Sequence, residues 1–187
     1  MKLLDRSDRE QLLSIARHAI EGAVTDGGLF ELDATAMAPS TREHAATFVS
    51  LHEGGKLRGC IGLMRFEFPM WMNVRDAAVA AALEDTRFLP VAASELPYLE
   101  IEISVLEPPV RLPNPADFRV GRQGIVVERG SRRGLMLPQV ASEMGWGADQ
   151  MLDAVCRKAA LPGDAWRDPE TRLFVFESYC FAEASIR

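Results

Sequence analysis

At 187 residues, with 48% hydrophobic and 26% charged positions, the chain has ordinary globular composition and a length for one domain or two small lobes sharing a core. A formal net charge of −6 argues against nucleic acid or an anionic membrane as the main partner, because both call for a basic face. No apolar run approaches the ~18 residues of a spanning helix, and residues 1–10 lack a signal-peptide apolar core, so a cytoplasmic location is expected.

Three cysteines, Cys60, Cys156 and Cys180, are an odd count without a C-x-x-C pair, which disfavours a disulfide framework and a cysteine-rich zinc site. The three histidines, His18, His44 and His52, include no H-E-x-x-H, so no metal and no cofactor is expected.

In chain order, Ser7 and Glu10 read as a capping box that starts a first helix, whose apolar residues Leu12, Leu13, Ile15, Ala16, Ala19, Ile20 and Ala23 recur at helical spacing. Gly27 and Gly28 supply its stop, and 31–42 reads as a loop. Residues 46–52 and Lys56–Leu63 read as a hairpin over Glu53-Gly54-Gly55. Pro69 suits the first turn of a second helix, which runs to about Leu83 with an alanine-rich face that lets another element come close.

Residues 98–106 form the clearest strand. Leu99, Ile101, Ile103 and Val105 alternate with Glu100, Glu102 and Ser104, so one face is buried and one is wet, which favours an antiparallel sheet. Prolines 108, 109, 113 and 115 stiffen 106–116, the boundary expected between two lobes near 107–116. Beyond it, 124–128 and 134–137 read as a second hairpin across the basic turn 129–133, itself read as a solvated loop before a docking patch. A helix is expected over 148–160, and 171–182 reads as one long closing strand. The fold class is α+β, mainly antiparallel sheet with covering helices. The two halves, each with a hairpin, a helix and a strand, hint at duplication.

The local anomaly is Gly55-Lys56-Leu57-Arg58-Gly59-Cys60-Ile61-Gly62. Glycines inside a strand weaken it, so Gly59 and Gly62 point to a bulge or to backbone left bare for a ligand. In an unbroken strand Arg58, Cys60 and Gly62 share a face, where the arginine would lower the thiol pKa and favour the thiolate. No histidine is placed by the sequence as a base for that thiol. The plain alternative is a small buried cysteine in a tight hairpin beside a solvated arginine.

Lys56-Leu57-Arg58-Gly59-Cys60-Ile61-Gly62 resembles the signature of the AMMECR-type domain, whose prokaryotic members are called AmmeMemoRadiSam system protein A. The resemblance covers nearly the whole chain, 1–187, as a single domain of this type. Ala46-Thr47-Phe48-Val49-Ser50-Leu51 precedes the signature, and Asp85-Thr86-Arg87-Phe88 resembles the D-P-R-F element with Thr86 for proline. Glu102-Ile103-Ser104-Val105-Leu106, Leu137-Pro138-Gln139-Val140-Ala141 and Gly145-Trp146 follow in order. Cys156-Arg157-Lys158-Ala159-Ala160-Leu161 resembles C-x-K-A-G-L with Ala160 for glycine, and Trp166 comes where the family has it.

The resemblance implies a two-lobed α+β domain without an established reaction. It also implies company: a Memo-like protein, of a kind resembling metal-dependent extradiol dioxygenases, and a radical S-adenosylmethionine enzyme. This chain has no C-x-x-x-C-x-x-C, so radical chemistry would belong to the partner. The matching blocks contribute Arg58, Cys60, Arg87, Gln139, Trp146 and Lys158, and with Gly59 and Gly62 these are the candidate site residues. Were they to converge, two arginines and a lysine would form an anion pocket beside an amide and a thiol. Two functions follow. One is an accessory or substrate-binding component acting with those partners. The other is an enzyme using the Cys60 thiol and Arg58 on a small anionic substrate. For Trp146 the plain reading is packing, and for Lys158 a charge that complements a helix C-terminus.

Overall fold

The computed structural model describes residues 4–25, 27–28 and 32–185. They fall into two compact units, one running to Leu106 and resuming at Tyr179, the other Glu107–Ser178.

In the first unit, α1 (Arg6–Thr25) buries Leu12, Leu13, Ile15, Ala16, Ala19 and Ile20 of the set the spacing predicts, while Ala23 near its end is only half-buried. Its cap lies two residues earlier than expected. Asp8 N–H donates to Asp5 Oδ1 at 2.9 Å and Asp5 N–H donates to Asp8 Oδ2 at 3.1 Å, a reciprocal box of two aspartates. Glu10 is instead turned to Arg6, 2.8 Å away on the next turn.

Strands β1 (Ala46–Glu53) and β2 (Lys56–Leu63) form the expected hairpin. Its two central residues, Gly54 and Gly55, have φ of +56° and +74°, a left-handed pair that glycine adopts without a Cβ penalty. Helix α2 (Met70–Leu83) follows Pro69 and buries Val74, Ala77, Ala78 and Ala81. Asn73 is fully buried on it, and its amide donates to the carbonyls of Ala45 and Arg65, both at 2.8 Å. β3 (Leu99–Leu106) keeps the predicted alternation at Leu99, Ile101, Ile103 and Val105, although Ser104 on the polar face is also buried.

In the second unit the proline-rich stretch holds a two-residue strand, β4 (Val110–Arg111), so it is not a bare connection. β5 (Gly124–Arg129) and β6 (Arg132–Met136) make the second hairpin. Two helices follow, α3 (Pro138–Met144) and α4 (Ala148–Lys158), the first of which has no counterpart in the reading of the sequence. The closing strand over 171–182 is two strands, β7 (Arg172–Phe176) and β8 (Ser178–Ala182). They part at Glu177, whose carbonyl accepts from Glu107 N–H at 3.0 Å instead of from a ladder partner.

The sheet orders are β2-β1-β3-β8 and β4-β7-β5-β6. Each sheet packs on its own apolar cluster, the first around Leu12, Val49, Leu51, Ile101 and Ile103, the second around Ile125, Val127, Met151, Leu152 and Val155. Fully burying such side chains is worth about 1.5–3 kcal/mol apiece.

Candidate functional site

The signature strand β2 lies at the edge of the first sheet. From the turn outward, Glu53 pairs with Lys56 and His52 with Leu57, but Leu51 pairs with Gly59. Arg58 is therefore the extra residue of a β-bulge, one of the two readings of the glycine-rich segment. The bulge also corrects the face assignment. Leu57, Cys60 and Gly62 share the face of His52, Ser50 and Phe48, while Arg58 is turned out of the ladder.

Both glycines of the signature are covered. A Cβ on Gly59 would sit 2.2 Å from the Ala81 carbonyl oxygen of α2, and one on Gly62 would sit 2.2 Å from the Phe48 ring. On one face Gly59 lets the helix backbone approach, and on the other Gly62 lies beneath an aromatic side chain.

Cys60 is held at three points. Its N–H donates to Asp85 Oδ2 at 2.8 Å, its carbonyl accepts from Arg87 Nη2 at 3.3 Å, and its Sγ accepts from Ser50 Oγ at 3.2 Å. Asp85 and Arg87 themselves pair, Nε to Oδ1 at 2.9 Å and Nη2 to Oδ2 at 2.6 Å. The Asp85 side chain is 5% exposed and that of Arg87 55%. Hydrogen bonds from Arg87 hold the Asp85 carboxyl well below the usual carboxylate range against the opposing effect of burial, and the Cys60 N–H adds to them. An N–H and a C=O pointing out of a sheet edge at one residue are what a neighbouring strand would satisfy. Here the Asp85–Arg87 pair does so, and the D-T-R-F element acts as a side-chain plug on the edge.

Arg58 spends its guanidinium on an acid rather than on the thiol. Its guanidinium is bidentate on Glu95, at 2.7 and 3.1 Å, and reaches the Pro90 carbonyl at 3.4 Å. The pairing raises the arginine's pKa, chiefly through the hydrogen bond to Glu95, and lowers that of Glu95. Phe88 lies between the two cations, its ring centroid 5.9 Å from the Arg58 guanidinium carbon and 5.4 Å from that of Arg87.

The first unit thus gathers Arg58, Gly59, Cys60, Gly62 and Arg87. Gln139, Trp146 and Lys158 belong to the second. Gln139 is half-buried in the first turn of α3. Trp146 follows the left-handed Gly145 that ends α3, packs on the second core, and lines a 510 Å³ cavity with Met136, Gln150, Asp153, Ala154 and Arg157. Lys158 is exposed in the last turn of α4, where a cation suits the helix dipole. Cys156 is fully buried on the same helix, and burial pushes its thiol pKa up. In the basic turn, Arg129 bridges to Asp168 and Glu170 and Arg133 to Glu128.

Reading the sequence missed Asp85 as a site residue, together with Ser50 and Glu95. Asp85 stood in a recognised block two residues before Arg87, and Ser50 became visible only through the register that sets it opposite Cys60. Among the described residues no cluster of three or more His, Cys, Asp and Glu could hold a metal ion, and no helix is long and apolar enough to cross a membrane.

The chain is an α+β domain of two antiparallel sheets, and it matches a crystal structure. That structure, of the uncharacterised protein PH0010 from Pyrococcus horikoshii, superimposes with a TM-score of 0.92 at 35% identity and covers 98% of this chain and 95% of its own. The chain belongs to the AMMECR1 family, whose model matches residues 13–181. A protein of Methanothermobacter thermautotrophicus is 41% identical over 186 residues, 96% of each chain. One from Thermococcus gammatolerans is 40% identical over 93% of this chain and 89% of its own.

Proposed function

We propose that the chain is a non-catalytic binding component that works beside a Memo-like protein and a radical S-adenosylmethionine protein in the cytoplasm. In this role it holds a small anionic ligand or docks its partners, and takes neither nucleic acid nor membrane. One observation carries the reading. The charged side chains around Cys60 are already committed to each other, Arg58 to Glu95 and Arg87 to Asp85, which leaves the thiol without a general base in contact among the described residues. Co-expression of the three proteins tests it. Stable co-purification, with no substrate turned over by this chain alone, is the expected result. Turnover by the isolated chain that is lost in Cys60→Ser would overturn it.

A second reading keeps one observation in its favour. The Ser50 hydroxyl donates to the Cys60 sulfur at 3.2 Å, a polar contact made to the thiol of the signature strand. Alkylation of each cysteine against pH separates the two, with buried Cys156 as the slow control. An apparent Cys60 pKa well below the free value of about 8.5 favours the thiol enzyme, and an ordinary one favours the binding component.

A further inference from the structure

Outward-facing main-chain groups alternate along an edge strand, so with Cys60 pointing outward the next residue to do so is Gly62. Gly62 has neither plug nor side chain. Its outward N–H and C=O carry no hydrogen-bond partner among the described residues, and the ring of Phe48 closes the sheet face above it. An open edge therefore begins at Gly62 and is stopped one pair earlier, at Cys60, by Asp85 and Arg87. On the plug, Arg87 uses Nε and Nη2 for Asp85 and Cys60, while Nη1 has no partner among the described residues and the side chain is 55% exposed.

We infer that this edge captures the C-terminus of an extended polypeptide of a partner protein. A paired N–H and C=O on one residue recognises the complementary pair on one residue of a strand, which antiparallel chains exchange as two hydrogen bonds. A chain antiparallel to β2 runs from the Leu63 side towards Cys60, where the plug blocks it, so the chain must end there. Its last residue donates N–H to the Gly62 carbonyl, and one carboxylate oxygen accepts from Gly62 N–H. The other oxygen then meets the free edge of Arg87, a cation facing the one charge every chain end carries.

This inference rests on the reading of the chain as a binding component and fails separately from it. The probe is acetyl-Val-Thr-Val-Val with a free carboxylate, titrated into the ¹⁵N-labelled full chain up to about 1 mM, the range of a few such contacts. Saturable shifts of the Gly62 and Cys60 amides are expected. The C-terminal carboxamide should bind about tenfold more weakly, because a charge-assisted pair is lost, and N-methylation of the last residue should abolish the shifts. Arg87→Lys should keep the preference for acid over amide. Equal binding of acid and amide, or unmoved Gly62 and Cys60 amides, overturns the inference even if the three proteins co-purify. A Gly62 shift that follows the chain's own concentration without peptide assigns the edge to a second copy and overturns it too. Turnover by the isolated chain sinks the parent reading whatever the peptide does.

Discussion

The two units are built to one plan and finished differently. In each, a hairpin is followed by helix and then by a strand that pairs antiparallel with the hairpin's first strand, β3 with β1 and β7 with β5. In each, the third pair from the turn places a glycine of the second hairpin strand under a helix carbonyl: Gly59 under Ala81 O, Gly134 under Val155 O. Each sheet also lays a phenylalanine ring on a cross-strand glycine, Phe48 on Gly62 and Phe176 on Gly124. Two things are particular to the first hairpin. Arg58 is inserted as a bulge, and the residue past the packing glycine is Cys60 opposite Ser50, where the second sheet has Leu135 opposite Val126. The shared parts therefore read as scaffold. The bulge, the plug and the Ser–Cys pair are additions that this scaffold does not need in order to stand.

Breaking the scaffold should give the largest effects, and in both units. Gly59→Ala drives a methyl into a backbone oxygen 2.2 Å away, with no side chain free to yield, and should cost about 3 kcal/mol or more. Gly134→Ala meets Val155 O at 2.7 Å and Ala159 Cβ at 3.0 Å and should cost less, about 1–3 kcal/mol. Urea unfolding read at Trp71 for the first unit and at Trp166 for the second assigns each loss. If Gly59→Ala proves neutral, the close approach of α2 is not what the glycine serves.

Removing the plug should cost less and show a pH signature. Asp85→Asn withdraws a charged acceptor from Arg87 and from the Cys60 N–H, about 2 kcal/mol at neutral pH. The folded carboxyl has a pKa below its unfolded value of about 3.9. Its stabilisation is therefore complete above that value and is lost as pH falls through it towards the folded pKa. Acid titration of stability from pH 5 downward should be shallower in Asp85→Asn than in the parent chain. Parallel curves would mean that the pair does not hold the edge.

What the sequence disclosed follows the same division. Periodicity found α1, α2, α4 and the buried face of β3, because repeated apolar contacts write themselves into spacing. It placed the α1 cap at Ser7 because S-x-x-E and the aspartate pair at 5 and 8 overlap, and either can satisfy the first turn. It ran β7 and β8 together because the apolar pattern continues through Glu177 while the chain changes sheets. The site was legible only in part. The glycines betrayed a bulge, but which residue was extra depends on the register across to β1, which no single strand carries. Arg58 was therefore placed beside the thiol, although its charge goes to Glu95, thirty-seven residues on.

The smallest effect on stability tests whether the Ser50–Cys60 pair is an addition at all. Importing the second sheet's residues, Ser50→Val with Cys60→Leu, removes a hydroxyl and its sulfur acceptor together. Replacing both partners of a hydrogen bond by apolar groups leaves no orphaned donor. The added volume is taken up on the half-buried face of an edge strand, so unfolding free energy should move by less than about 1 kcal/mol. Cys60 backbone bonds to Asp85 and Arg87 survive, since neither uses the side chain. If the face serves binding, co-purification with the proposed partner proteins should fall while the denaturation curve stays put. If stability collapses instead, the Ser–Cys pair belongs to the scaffold, and the difference between the two hairpins narrows to the bulge and the plug.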